Sequence, residues 1–439
     1  MKLHFTSLGC PKNLVDSEVM LAKLIEDGFT LTEVPEDAEV AVVNTCAFIE
    51  DAKKEAIDAI LSLAELKKKG SLRILVAAGC LPQRYKGELA KLIPEVDIFI
   101  GTGEFHRIAE ILQNWIGGTN LEVGKPKYLY DHLTPRLHTT PAHLGYLKIA
   151  EGCFHPCSFC IIPKLRGKYR SRNPDSIIEE AKMMIGTGVK EINLIAQDTT
   201  SYGKDIGADF ATLLGGIAKL EGKKWIRIMY AYPHKFPVRV IEAIKDRDSV
   251  CKYLDIPVQH ISDKILKRMG REGGAKEVRT LIDVLRREVA GIALRTSIIV
   301  GYPGETQSDF DELVDFVSEA KFENLGVFVF SPEEGTKAAR LGDKVPRETA
   351  ELRRDELMDL QREISQGNNT RHLHKKMTVM IDGSTKEPGM LLEGRHEGQA
   401  VDIDGVVFIK EGLASPGDFV SVEIVEAREY DLVGRLAGS

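Results

Sequence analysis

At 439 residues with 43% hydrophobic side chains, the chain is long enough for about three domains of roughly 150 residues, and too apolar to be disordered or fibrous. Its 59 Lys and Arg against 66 Asp and Glu give a net charge of −7, which excludes a polycation that coats nucleic acid, so any RNA contact has to be local. Residues Met1 to Ser7 lack the organisation of a signal peptide and no apolar run reaches ~18 residues, so a soluble, cytoplasmic protein without membrane contact is expected.

The first hundred residues alternate apolar β-type runs with helical patterns, which predicts a parallel α/β sheet. Strands are expected at Leu3 to Leu8, Val40 to Val43 and Ile74 to Ala77, with helices at Val15 to Asp27, Ala52 to Lys69 and Tyr85 to Leu92. A further helix from about Glu104 to Trp115 runs into Gly117-Gly118, after which Pro126, Pro135 and Pro141 break all periodicity. This gives an N-terminal domain over 1–118 and a linker over 119–142. From Tyr146 to Phe330 a new alternation predicts six strands, at Tyr146 to Ala150, Glu191 to Ile195, Trp225 to Tyr230, Tyr253 to Val258, Leu294 to Val300 and Leu325 to Phe330. Six strands with crossover helices suit a partial (β/α)6 barrel, whose sites gather at the C-terminal strand ends. A charged helix from about Arg347 to Ser365 ends this second domain, 143–366. Short strands at Thr378 to Ile381, Met390 to Glu393, Val406 to Ile409 and Phe419 to Val425 then predict a small β-barrel over 367–439.

Seven cysteines are too few, and odd in number, for a disulfide scaffold, so metal binding or catalysis is the first reading. Cys153, Cys157 and Cys160 form a C-x3-C-x2-C run directly after the first barrel strand. Three thiolates on one short loop can hold three irons of a four-iron cluster and leave the fourth open to a substrate. The competing reading, a structural zinc, needs a fourth protein ligand, and His155 is the only one nearby. Cys10, Cys46 and Cys80 each end a predicted parallel strand, so they should emerge on one edge of the sheet and converge in space. Gly9 and Gly79 precede two of them and allow close backbone approach. Cys251 has no such partners and is assigned to packing.

With Phe159 before its last cysteine, the Cys153-Cys157-Cys160 loop resembles the signature of radical S-adenosylmethionine enzymes. That resemblance implies that the methionyl amine and carboxylate chelate the open iron, and that an electron from the cluster releases a 5'-deoxyadenosyl radical. The two cysteine triplets together resemble the methylthiotransferases over essentially the entire chain. They imply an auxiliary four-iron cluster on Cys10, Cys46 and Cys80 and a radical-generating one on Cys153, Cys157 and Cys160. They also imply S-adenosylmethionine as methyl donor and radical source, a TRAM-type C-terminal barrel, and an electron donor and a sulfur source as partners.

Gly9-Cys10-Pro11-Lys12-Asn13, Cys157-Ser158-Phe159-Cys160-Ile161-Ile162-Pro163, Gln197-Asp198-Thr199-Thr200-Ser201-Tyr202-Gly203 and Ser331-Pro332-Glu333-Glu334-Gly335-Thr336 look like the branch that modifies the β-carbon of an aspartate in ribosomal protein uS12. From Asn368 to Ser439, 8 Lys and Arg face 12 Asp and Glu, a net of −4, where a barrel that grips RNA should be basic. These carboxylates fit either docking of a basic ribosomal protein or an ordinary solvated surface. Glu333 and Glu334 are candidates for substrate docking. The alternatives are a tRNA adenosine methylthiotransferase and, from another class, a two-cluster electron-transfer protein; tRNA is not the expected partner.

Gly301 and Glu305, in the Gly-Tyr-Pro-Gly-Glu turn after the fifth barrel strand, are candidates for the cofactor pocket, though such turns also merely connect elements. Arg166, Lys168, Arg170 and Arg172 follow the cysteine loop and either meet a carboxylate there or are simply solvated. His260 lies at a strand end and receives no role.

Overall fold

The computed structural model describes residues 1–437 and places two six-stranded sheets and a closed barrel in succession along the chain, with a small two-stranded sheet beside the second. The first comprises β1 (Lys2–Ser7), β2 (Thr30–Leu31), β3 (Val40–Thr45), β4 (Ile74–Gly79), β5 (Ile98–Gly101) and β6 (Asn120–Glu122), in the order β2-β1-β3-β4-β5-β6. All its pairings are parallel. Every residue of β3 is buried, as a parallel strand covered on both faces requires. Alternate side chains serve opposite cores: Val40, Val42, Val76 and Ala78 pack with Val19, Met20 and Leu24 of helix Pro11–Glu26. Ala41, Val43, Leu75 and Ala77 pack with Ile60, Leu63 and Ala64 of helix Glu50–Lys68.

Two expectations change here. The helix predicted at Tyr85 to Leu92 is two short ones, Cys80–Tyr85 and Gly87–Leu92, because Lys86 takes a φ of 47° between them. The linker predicted over 119–142 opens with β6, which pairs with β5 and belongs to the first sheet. Its remainder is a strap held against both domains. Tyr130 is buried, and Arg136 joins Glu18 of helix Pro11–Glu26 at 2.7 Å to Glu180 of helix Pro174–Gly186 at 2.9 Å.

The second region contains β7 (Leu144–Lys148), β8 (Ala150–Glu151), β9 (Arg170–Ser171), β10 (Glu191–Ile195), β11 (Trp225–Ile228), β12 (Val250–Asp255), β13 (Ala293–Val300) and β14 (Asn324–Val329). Six of these form an open parallel sheet in the order β14-β13-β12-β11-β10-β7, the partial barrel expected, while β8 and β9 make a separate antiparallel pair. One face, with Leu147, Ile192, Leu194, Ile226 and Leu254, packs on the crossover helices. On the other, Tyr146, Ile195, Trp225, Met229 and Tyr253 meet Val15 of the first helix and Met380 and Ala400 of the C-terminal region. One apolar cluster therefore draws on all three regions, and Cys251 is a buried member of it.

After the long helix Arg347–Thr370, strands β15 (Lys376–Ser384), β16 (Leu392–His396), β17 (Val407–Ile409), β18 (Phe419–Ala427) and β19 (Leu432–Leu436) close a barrel around Val379, Ile381, Val407, Ile409, Val422 and Ile424. The fifth strand, β19, was not expected. It closes the barrel by pairing parallel with β17 and antiparallel with β18. Among the described residues no helix is long and apolar enough to cross a membrane.

The barrel is seated by buried charge. Glu191 of β10 accepts from Arg227 at 2.8 Å and pairs with Arg395 of β16 at 2.7 Å; Arg395 also reaches Asp382 at 2.8 Å, and Asp382 meets His143 at 3.0 Å. Removing one member of such a network leaves an uncompensated charge, which costs about 3–5 kcal/mol. Arg395→Met should therefore lower the urea midpoint markedly, and adding Glu191→Gln should recover part of the loss; additive losses would show that the pair is not coupled.

Candidate active site

β1, β3 and β4 run in register and end together: Ser7 pairs with Asn44, and Thr45 with Gly79. Cys10 caps helix Pro11–Glu26, Cys46 follows β3, and Cys80 opens the helix that follows β4, so the three leave one sheet edge. Gly9 has a φ of 91°, and a Cβ there would lie 2.7 Å from Cβ of Cys46; at Gly79, with a φ of 94°, it would overlap Asn44. These glycines bring neighbouring backbone together and so draw Cys10, Cys46 and Cys80 close. Burial pushes the Cys80 thiol up to about 12, opposed by the Arg166 guanidinium and reinforced by Cys46 and Cys10. Burial raises Cys46 as well.

The second triplet lies on the loop between β8 and β9. Ser158 pins the loop: its N–H donates to the Met269 carbonyl at 2.7 Å, its hydroxyl donates to the Arg268 carbonyl at 2.9 Å, and it lies 2.7 Å from the Tyr302 hydroxyl. Phe159, the aromatic residue of the motif, packs beside Ile265, Met269 and Tyr302. Burial pushes the Cys153 and Cys160 thiols up to about 12, with Cys157 adding to both.

The imidazole of His155 lies between these cysteines in sequence but is engaged elsewhere: its Nε2 is 2.6 Å from Asp198, and its ring stacks on Tyr232 at 3.8 Å. That removes the nearest fourth ligand for a structural zinc. Among the described residues no group of three or more His, Cys, Asp or Glu is arranged to hold a single metal ion. Three thiols on one short loop suit an iron–sulfur cluster bound through three irons better than one ion in a closed site. Thiols held protonated by burial would release their protons on binding metal.

Asp198 is an unforeseen support. Burial opposes its charge, but hydrogen bonds from His155, Ser201 and Thr200 outweigh this and hold its carboxyl below the usual range. The Asp-Thr-Thr-Ser sequence carried the signal, since Asp198 caps the turn Thr199–Ser201. Arg271 was also missed. It donates to the Pro257 carbonyl at 2.6 Å, lies 4.5 Å over the Tyr232 ring, and faces Cys153 and Cys160.

Other candidates separate by their partners. Arg166, on the short helix after Cys160, pairs with Asp16, lies 3.4 Å from Glu151 and places a guanidinium nitrogen 3.6 Å from the Cys80 sulfur. It ties the helix that follows the second triplet to a cysteine of the first. Arg172 is tied to Glu180 at 2.6 Å, Arg170 donates to backbone carbonyls, and Lys168 is exposed. Tyr302 touches the cysteine loop, but Gly301 packs on Ala350 and Glu305 pairs with Arg353 at 2.8 Å, both on the long helix. His260 is fully buried beside Glu305. Glu333 contradicts its reading as a docking residue: it is buried against Arg84 at 2.8 Å and Lys53 at 3.1 Å, a latch between the first two regions that sequence distance concealed. Glu334 is exposed.

Below this site Asp255 is buried, and its carboxyl is pushed up to about 6 by burial, offset in part by Arg295 and the Tyr230 N–H; Asp404 and Lys12 are the other charges facing it. The folded protein thus holds this proton more tightly than the unfolded chain, whose carboxyl titrates near 4. Stability contributed here is full below pH ~4 and falls by roughly 3 kcal/mol as pH rises to ~6. Asp255→Asn should flatten that part of the stability–pH curve; an unchanged slope by urea titration would remove the assignment.

Comparison with known proteins accords with this geometry. Residues 2–101 match the Uncharacterized protein family UPF0004, residues 147–317 the Radical SAM superfamily, and residues 375–437 the TRAM domain. Among solved structures, the radical S-adenosylmethionine methyltransferase TsrM from Kitasatospora setae shares the fold, with a TM-score of 0.56 at 15% identity over 77% of this chain and 76% of that one. Ribosomal protein uS12 methylthiotransferase RimO of Geotalea uraniireducens is 48% identical over 99% of this chain and 98% of its own. That of Myxococcus xanthus is 48% identical over 99% and 91%. With every region of the fold matched at this level of identity, the chain belongs to the RimO family of radical S-adenosylmethionine methylthiotransferases.

Proposed function

We propose that this protein adds a methylthio group to the β-carbon of an aspartate in ribosomal protein uS12, using S-adenosylmethionine and two four-iron clusters. The observation that carries the reading is the arrangement of six cysteines as two triplets, one on the loop after β8 and one on the edge of β1, β3 and β4, with Arg166 from the helix after the loop reaching Cys80. When bound, one cluster would supply the electron for reductive cleavage of S-adenosylmethionine, the cofactor itself the hydrogen-abstracting radical and the methyl group, and the other cluster the sulfur.

The chain's own residues hold and orient. Cys153, Cys157 and Cys160 would carry the radical-generating cluster, with Ser158, Tyr302 and the Asp198–His155 pair fixing their loop. Cys10, Cys46 and Cys80 would carry the auxiliary one. Arg271 would receive the cofactor's carboxylate, because it faces Cys153 and Cys160 and donates to a backbone carbonyl rather than to a carboxylate. Gly301 and Glu305 shape the same pocket from behind, through Tyr302. An electron donor and a sulfur source complete the set of partners.

Replacing Cys153, Cys157 and Cys160 with Ala should abolish cofactor cleavage and leave about four irons per chain, since each triplet can hold its own cluster; loss of all iron would refute two independent sites. The Cys10, Cys46 and Cys80 triple variant should still cleave S-adenosylmethionine yet install no methylthio group; product formed at the normal rate would contradict the sulfur-handling role. Substrate identity is decided by incubating the anaerobically reconstituted enzyme with uS12 or with tRNA and weighing the products. Methylthiolated uS12 is expected, and methylthioadenosine beside unmodified uS12 would overturn the reading.

A further inference from the structure

Lys12 stands on the first turn of helix Pro11–Glu26, two residues after Cys10, and projects to the C-terminal end of β11. It is half-buried, and its Nζ lies 3.1 Å from the centroid of the Tyr230 ring. Among the described residues no carboxylate lies within 4.0 Å of it. The neighbouring cations are all paired: Lys148 and Arg166 share Asp16 and Glu151, and Arg295 holds Asp404 at 2.6 Å. Asp255 faces Lys12 from beyond ion-pair range and accepts the Tyr230 N–H at 3.1 Å.

Backbone geometry marks the same spot independently. Tyr230, two residues beyond the end of β11, has a φ of 59°, and Gln259, beyond the end of β12, has a φ of 74°. Non-glycine residues in this conformation carry strain that the surrounding structure must impose, and such residues cluster at ligand sites. Here the strain at Tyr230 aims its ring beneath the Lys12 ammonium.

We propose that Lys12 binds the carboxylate of the target aspartate, an inference that rests on the uS12 reading above. A carboxylate taken out of water requires a cation, and the fold leaves this one without an ion-pair partner beside Cys10, which on the reading above handles sulfur. Two carboxylates have to be accommodated, one on the cofactor and one on the substrate. Arg271 faces the radical-generating cysteines and Lys12 the auxiliary ones, so the two acids are kept apart. An adenosine offers no carboxylate, which makes Lys12 a determinant of protein over tRNA.

The test uses the reconstituted full-length enzyme without S-adenosylmethionine, titrated by fluorescence anisotropy with a labelled uS12 peptide carrying the target Asp or, in its place, Asn. The wild type should bind the Asp peptide roughly 10-fold or more tightly than the Asn peptide. Lys12→Met should abolish the preference, and Lys12→Arg should restore it, which a merely structural role would not do. Unchanged preference in Lys12→Met, or no preference in the wild type, overturns the assignment. Intact Lys12-dependent preference with no methylthiolation of uS12 on addition of cofactor and reductant would overturn the functional reading instead.

Discussion

Four charges at the seam between the first two regions set the geometry of the site. Asp16 comes from the first helix, Lys148 from β7, Glu151 from β8 and Arg166 from the helix after the cysteine loop; none is more than 5% exposed. Lys148 bridges Asp16 at 2.5 Å and Glu151 at 2.9 Å, Arg166 bridges the same pair, and Gln197 donates to Glu151 at 2.7 Å. Buried ions tolerate no missing partner, so the set allows essentially one docking of the N-terminal sheet on the partial barrel. Because both sheets present C-terminal strand ends at this seam, the docking sets Arg166, on the helix after Cys160, within 3.6 Å of the Cys80 sulfur.

Most of this framework was legible because parallel strands buried on both faces read as unbroken apolar runs. Glu191 to Ile195 was found to the residue, and Leu294 to Val300 to within one. The strands missed lack that signature. β2 and β9 are two residues each, β6 is Asn-Leu-Glu on a sheet edge, and β19 is interrupted by Gly434, so their pairing is a product of tertiary context. The local cysteine loop was legible from spacing, and the dispersed triplet from its repeated position at strand ends.

What sequence did not reveal were partnerships between distant residues. Asp198 was visible as part of a motif, yet its hold on His155 depends on the β8–β9 loop folding back over β10. Glu333 looked like an acidic surface for a basic substrate until Arg84 and Lys53 closed on it from the other domain. Lys12 was noticed only as a letter in a motif. Its meaning lies in the absence of an ion-pair partner, a property of the packed molecule.

The two triplets also differ in when they come into being. Cys153, Cys157 and Cys160 are close along the chain, so a short loop can gather them before the surrounding barrel is complete, at little cost in closure entropy. Cys10, Cys46 and Cys80 meet only after β1, β3 and β4 are paired in register and their crossover helices are packed. Assembly therefore has a built-in order: the loop cysteines are gathered locally, whereas the convergence of Cys10, Cys46 and Cys80 is a late product of folding, and a chain misfolded at its N-terminus would keep the first set and lose the second.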